Sequence, residues 1–266
     1  MHIMKQFVFP VILVAVVILT ACTTAPETGR SQLILIDSAQ ETKIGFQAFQ
    51  EMKRKEPTIA KGPKVRLLRR VGKRIAAVVK VPHAQWEFVL FNDPNSANAF
   101  ALPGGKVGVY TGILPITRNE AGLTTVIAHE IAHVTARHGA ERMSQSMLID
   151  VGGSVLSGAL GALGNKATHD MIMQAYSLGT TVGVALPYSR TQESEADRVG
   201  LLYMARAGHD PREAVKFWQR FKAYNKGRKK PLEFLSTHPL DETRIAAIKR
   251  MIPEALQEYK RVKARR

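Results

Sequence analysis

Residues 126–138 read "VIAHEIAHVTARH", with three histidines and a glutamate set in an otherwise apolar run. Val126, Ile127, Ala128, Ile131, Ala132 and Val134 demand burial, and burying imidazoles and a carboxylate without partners is costly. A metal removes that objection. His129 and His133 stand four apart, about 40° around a helix, so both rings can reach one ion. His129-Glu130-x-x-His133 is the H-E-x-x-H pattern, in which Glu130 serves as the base that takes a proton from the attacking water. His138 is a tempting third ligand. On a continuous helix it would stand about 140° from His133 and opposite His129, so it reads instead as a polar residue near the helix end, favourable to the helix dipole. Thr117 with Glu120 has the spacing of a capping box that opens this helix, which is expected to run to about His138.

A third ligand is sought on a later helix. "SRTQESEADRVG", residues 189–200, offers Glu193, Glu195 and Asp197. Glu193 and Asp197 share a helical face and Glu195 points elsewhere. Glu193 is therefore assigned to the metal, and Asp197 to accepting a hydrogen bond from a ligand imidazole. Exposed salt-bridge partners are the plain alternative for each acid alone. Arg190 is a candidate to orient the Glu193 helix or to contact substrate, beside the plain reading of an exposed arginine. His238, in "STHPLDETR", is a candidate fourth ligand or oxyanion group, beside the plain reading of a loop-capping histidine.

Four segments in order, "NAFALPGGKVGVYTGIL", "HEIAHVTARH", "SRTQESEADRVG" and "STHPLDETRI", resemble the zinc metallopeptidases related to CAAX prenyl proteases and the heat-shock protease HtpX, over about residues 30–250. The chain looks most like the lipidated bacterial members, without the helical-repeat extension of some relatives. The resemblance implies a gluzincin-like α+β fold, mainly helical, with a small sheet beside the HExxH helix. It implies one Zn2+ per chain on His129, His133 and Glu193, with Glu130 and Asp197 catalytic, Asp197 as a supporting proton donor. It further implies that the strand through Gly104, Gly105, Val107 and Val109 offers its edge to the substrate backbone. The implied activity is endopeptidase cleavage of misfolded or misassembled cell-envelope proteins. A non-proteolytic zinc-bound chaperone or scaffold is the competing class.

The first residues bear on location. "MHIMK" precedes the apolar run "QFVFPVILVAVVILTA", and "LTAC" ending at Cys22 resembles a bacterial lipobox. Cys22 is the only cysteine, so an internal disulfide is excluded. Residues 1–21 are expected to be a lipoprotein signal peptide, with Cys22 lipidated, 22–37 a tether and 38–266 one metallopeptidase domain. Thr23 after the cysteine favours a periplasmic protein anchored to the outer membrane. The formal charge of +16 suits an acidic partner, but the basic runs at 226–230 and 259–266 lack interleaved aromatics, which weighs against nucleic acid.

The remaining pattern is coarse. Ser38 and Glu41 suggest a capped helix to about Lys55. Leu68, Val71, Ile75 and Val78 mark an amphipathic helix. Strands are expected at 84–93 and in two pieces over 98–114, around Pro103-Gly104-Gly105. Later helices are expected at 189–207, from Pro211, at 240–251 and at 253–262. The glycine-rich, nearly uncharged segment 150–187 reads as a lid over the cleft, or equally as a plain surface loop.

Overall fold

The computed structural model describes residues 22–82, 84–156, 189–227, 232–239 and 242–265. The expected signal peptide, residues 1–21, and most of the expected lid lie outside the described residues. In chain order come β1 (Cys22–Thr24), β2 (Ser31–Leu33), α1 (Ser38–Lys55), β3 (Thr58–Ile59), α2 (Pro63–Ala76), β4 (Glu87–Phe91), β5 (Ala99–Leu102), β6 (Lys106–Tyr110), α3 (Leu114–Thr117), α4 (Glu120–Thr135) and α5 (His138–Leu156). They are followed by α6 (Arg190–Arg206), α7 (Arg212–Asn225), α8 (Glu233–Thr237) and α9 (Glu242–Ala264). The mainly helical architecture with small sheets agrees with the α+β expectation.

The main sheet has the order β3-β4-β6-β5, with β4 parallel to β6 and the outer pairs antiparallel. Alternation sorts its side chains onto two faces. Phe88, Leu90, Val107 and Val109 join the principal core with Val65, Leu68, Val71 and Ile75 of α2 and the apolar residues of α4. The other face carries Phe91 and Tyr110, covered by Phe49 of α1 and by Phe100. Gly108 makes room there, since a Cβ would fall 2.2 Å from the Phe100 ring.

β6 is paired on both sides and all five of its residues are buried. It cannot add a substrate strand, which corrects the expectation placed on Gly104, Gly105, Val107 and Val109. Gly104 and Gly105, at φ 78° and 83°, form the turn instead. Among the described residues the edge on that side of the sheet belongs to β5.

Helix α4 begins where Asn119, not Thr117, accepts from the Gly122 amide. It ends at Thr135, because Arg137 takes a left-handed φ of 56° and a new helix starts at His138. That conformation costs about 1–2 kcal/mol for a residue with a Cβ. Arg137 is held by Glu41 at 2.9 Å and by the Ile36 carbonyl at 2.8 Å. Glu41 is thus an ion-pair partner, and Asp37 caps α1.

Three further expectations change. Residues 150–156 belong to α5 rather than to an irregular lid. α9 runs through Pro253 as one helix. Ile248 and Ala255 on either side of the proline are both anchored in the core, which offsets the lost backbone hydrogen bond. Residues 22–37, expected as a tether, hold the β1–β2 hairpin.

Candidate metal centre

Helix α6 lies along α4, and Gly200 permits the close approach. A Cβ there would sit 3.1 Å from the His129 backbone nitrogen. Ser189 and Gln192 form a reciprocal capping box that fixes the first turn of α6, and this turn carries Glu193. His129 and His133 project from α4 toward it, and α8 ends at His238.

Four donor atoms of His129, His133, Glu193 and His238 lie within 4.8 Å of one another, and all four residues are buried. Nε2 of His129 is 3.1 Å from Nε2 of His133 and 3.2 Å from Nδ1 of His238. Oε1 of Glu193 is 3.2 Å from His133 Nε2 and 2.9 Å from His238 Nδ1. Metal–ligand bonds of about 2.0–2.1 Å make the edges of a tetrahedron about 3.3 Å long. Three imidazoles converging at that spacing, with a carboxylate, are the donor set zinc takes. The residues fit the ion.

Electrostatics agree. Burial lowers His129, but Glu193 and Asp197 outweigh it and raise its pKa above the ordinary range. Burial lowers His133 well below that range. Glu193 is pushed up by burial, yet His238, Arg244 and His129 hold it well below the usual carboxylate value. The pocket favours a cation. Glu130 is raised by its burial, and its Oε1 lies 3.3 Å from His238 Nε2.

Asp197 accepts from Arg244 Nε at 2.8 Å and Nη2 at 2.9 Å, and faces His129 Nδ1 at 3.0 Å. It is a lowered, ionised carboxylate despite burial, held by Arg244 and His129. It supports the ring of His129 from the side away from the other donors. Arg190 is exposed at the start of α6. The arginine that grips the ligand carboxylate is Arg244, with Nη1 2.5 Å from Glu193 Oε2. Its guanidinium lies 3.9 Å from the centroid of the Trp218 ring, a desolvated cation–π contact worth about 2 kcal/mol. Sequence reasoning missed Arg244, although it stands in "STHPLDETRI", six residues past His238.

His138 is not one of the four donors, but the reason differs from the angular one, since the helix breaks before it. It is fully buried between His133 and Glu195.

The sequence profile of Peptidase family M48 matches residues 64–252, well over half of the chain. The chain belongs to peptidase family M48. It is similar to the mitochondrial metalloendopeptidase OMA1 of Saccharomyces cerevisiae, 34% identical over 252 residues, covering 88% of this chain and 70% of that protein. It is 29% identical over 248 residues to human mitochondrial metalloendopeptidase OMA1, covering 90% and 47%. It is 28% identical over 254 residues to the β-barrel assembly-enhancing protease of Escherichia coli K12, covering 91% and 51%. Apart from the budding-yeast protein, the chain spans about half the length of these relatives. As an M48 member it is a zinc metalloendopeptidase by class, as expected. These relatives are of the OMA1 and β-barrel assembly-enhancing kinds, so the subtype drawn from CAAX prenyl proteases and HtpX is not carried forward. The expected periplasmic, outer-membrane location is overturned, because the relatives at 34% and 40% identity are mitochondrial proteins of two yeasts.

Proposed function

We propose that this M48 peptidase cleaves misfolded or misassembled proteins by water attack on the peptide bond, with His129, His133 and Glu193 holding the metal. The convergence of these donors beside the buried Glu130 carries the reading. When bound, zinc supplies Lewis acidity, polarising the scissile carbonyl and making water a better nucleophile. Glu130 takes the proton of the attacking water and passes it to the leaving amine. Its raised affinity for protons, caused by burial, suits that transfer. Asp197 and Arg244 hold His129 and Glu193 in place. The relatives named for enhancing β-barrel assembly support action on assembling proteins.

β5 is the strand that would hold the substrate backbone. Asn98 accepts from the Tyr110 amide, so along the antiparallel ladder Phe100 and Leu102 bond inward to β6. The backbone groups of Ala101 then point to the open edge, in position to pair with an extended peptide. Among the described residues no helix is long and apolar enough to cross a membrane. A lipid on Cys22 is the proposed means of membrane attachment.

His238 supports a second reading, a latent state. Its Nδ1 stands with the three ligands, at the vertex a catalytic zinc site keeps open. Its ring stacks on Phe234 with centroids 4.4 Å apart. Turnover then requires the ring to swing away.

Casein cleavage by the purified chain tests both. The expected activity is chelator-sensitive and falls by about 10²–10⁴-fold in Glu130→Gln with zinc retained. Full activity in that variant removes Glu130 as the base. His238→Ala is expected to cleave faster than wild type, and slower cleavage with zinc retained overturns latency.

A further inference from the structure

His133 is held by a chain of groups that the proposed reaction does not use. Its Nδ1 lies 2.8 Å from His138 Nδ1, and His138 Nε2 lies 3.0 Å from Glu195 Oε2. Glu195 also accepts from Arg30 Nε at 2.5 Å and from the Thr28 hydroxyl. Thr28 and Arg30 belong to the β1–β2 hairpin, between and beside its strands. Arg30 further forms a fork with Glu141, at 2.7 Å to each oxygen, and Glu141 accepts from Gln192 at 2.7 Å. The Leu35 amide donates to Ser144 at 2.9 Å.

The polarity of this chain is determined by its ends. An ionised carboxylate only accepts, so His138 Nε2 carries the proton between it and Glu195. Nε2 of His133 is the atom that faces His129 and Glu193. As a metal ligand it keeps its lone pair there, so its Nδ1 carries a proton and donates to His138 Nδ1. Both imidazole donors point from the metal side toward Glu195, where they meet the donors of Arg30 and Thr28 coming from the hairpin.

We propose that His138, Glu195 and Arg30 are a positioning relay that selects the tautomer and ring orientation of His133, making the N-terminal hairpin a part of the metal centre. The inference rests on the metal reading of the site and adds to it a dependence of zinc affinity on residues of another element. Outer partners of ligand histidines characteristically contribute about 10–100-fold in metal affinity. Glu195→Gln keeps the shape but offers one carbonyl where three donors converge.

The test is zinc affinity of the full chain, measured by competition with a chromophoric chelator, together with the visible spectrum of the cobalt-substituted protein. Glu195→Gln and His138→Ala are expected to weaken zinc binding by about 10–100-fold and to alter the cobalt bands. Arg30→Met is expected to weaken it less, with Arg30→Lys partly restoring it. In the Glu195→Gln background Arg30→Met should add little, because it acts through Glu195. Thermal melts of the metal-free variants verify that they fold, and Arg30→Lys is the mild substitution if the others do not. Wild-type affinity and spectrum in folded Glu195→Gln overturn the relay while leaving the metal site standing. Failure of the wild-type chain to take up one zinc overturns the metal reading and the relay with it.

Discussion

The two histidines of the H-E-x-x-H helix are supported in opposite directions. His129 leans on a single carboxylate, Asp197, which Arg244 of α9 clamps from the C-terminal side. His133 leans on another imidazole, and only then on a carboxylate, Glu195, that is gripped from the N-terminal hairpin. Both carboxylates come from one turn of α6, two residues apart, pointing to different faces. One short stretch of helix therefore carries the proposed ligand Glu193 and the supports of two others. The short arm is wholly buried, whereas the long arm ends on a partly exposed arginine. A contact that disturbs the hairpin reaches the centre through His133, and one that disturbs α9 reaches it through His129 and Glu193.

Breaking the short arm should have the largest effect. Arg244→Met leaves Asp197 and Glu193 buried without their cation. It is expected to destabilise the metal-free protein by about 3–5 kcal/mol, read from urea unfolding. An unchanged midpoint would mean that Arg244 is not what holds the two carboxylates.

Cutting the long arm at its outer end should matter less, and only above acid pH. Burial raises the Glu141 carboxyl, but hydrogen bonds from Arg30 and Gln192 bring it below its ordinary value. A depressed folded pKa contributes stability that is complete above the unfolded value of about 4.3 and is lost as pH falls through the folded value. Glu141→Gln is expected to cost about 1.5–3 kcal/mol at neutral pH. The gap from wild type should close as the pH is taken below about 4 in thermal melts. A gap that persists there would locate the effect in packing rather than charge.

The smallest effect calibrates the others. Arg198 lies beside Asp197 on α6 but pairs with Glu254 at 2.8 Å with both side chains more than 40% exposed. Arg198→Ala should change stability by about 0–1 kcal/mol. A larger loss would show that the α6–α9 contact depends on its surface pairs as well as on Arg244.

Legibility from the sequence followed helical periodicity. His129, His133, Glu193 and Asp197 could be read because each pair repeats at four residues within one helix, where spacing alone decides which side chains share a face. The sheet strands were legible from alternation and from the turn at Pro103-Gly104-Gly105, but not their order. That order seals β6 inside and leaves β5 at the edge. His138 does stand outside the donor group, as expected, but its placement was misread because a left-handed arginine interrupts the helix, and nothing local to Arg137 announces it. Glu41 and the Ile36 carbonyl, about a hundred residues earlier in the chain, hold that conformation.

The sequence by itself determined where the candidate metal chemistry lies: two imidazoles and the proposed base on one buried helix, and the proposed carboxylate ligand with an aspartate beside it on another. Local spacing sufficed, because within a helix the backbone sets the geometry. Only the tertiary structure decided that Arg244 and His238 close the site, that β5 carries the open edge, and that Arg30 reaches His133 through Glu195 and His138. Those contacts join residues up to 165 positions apart, and their partners are chosen by packing, which no local pattern encodes.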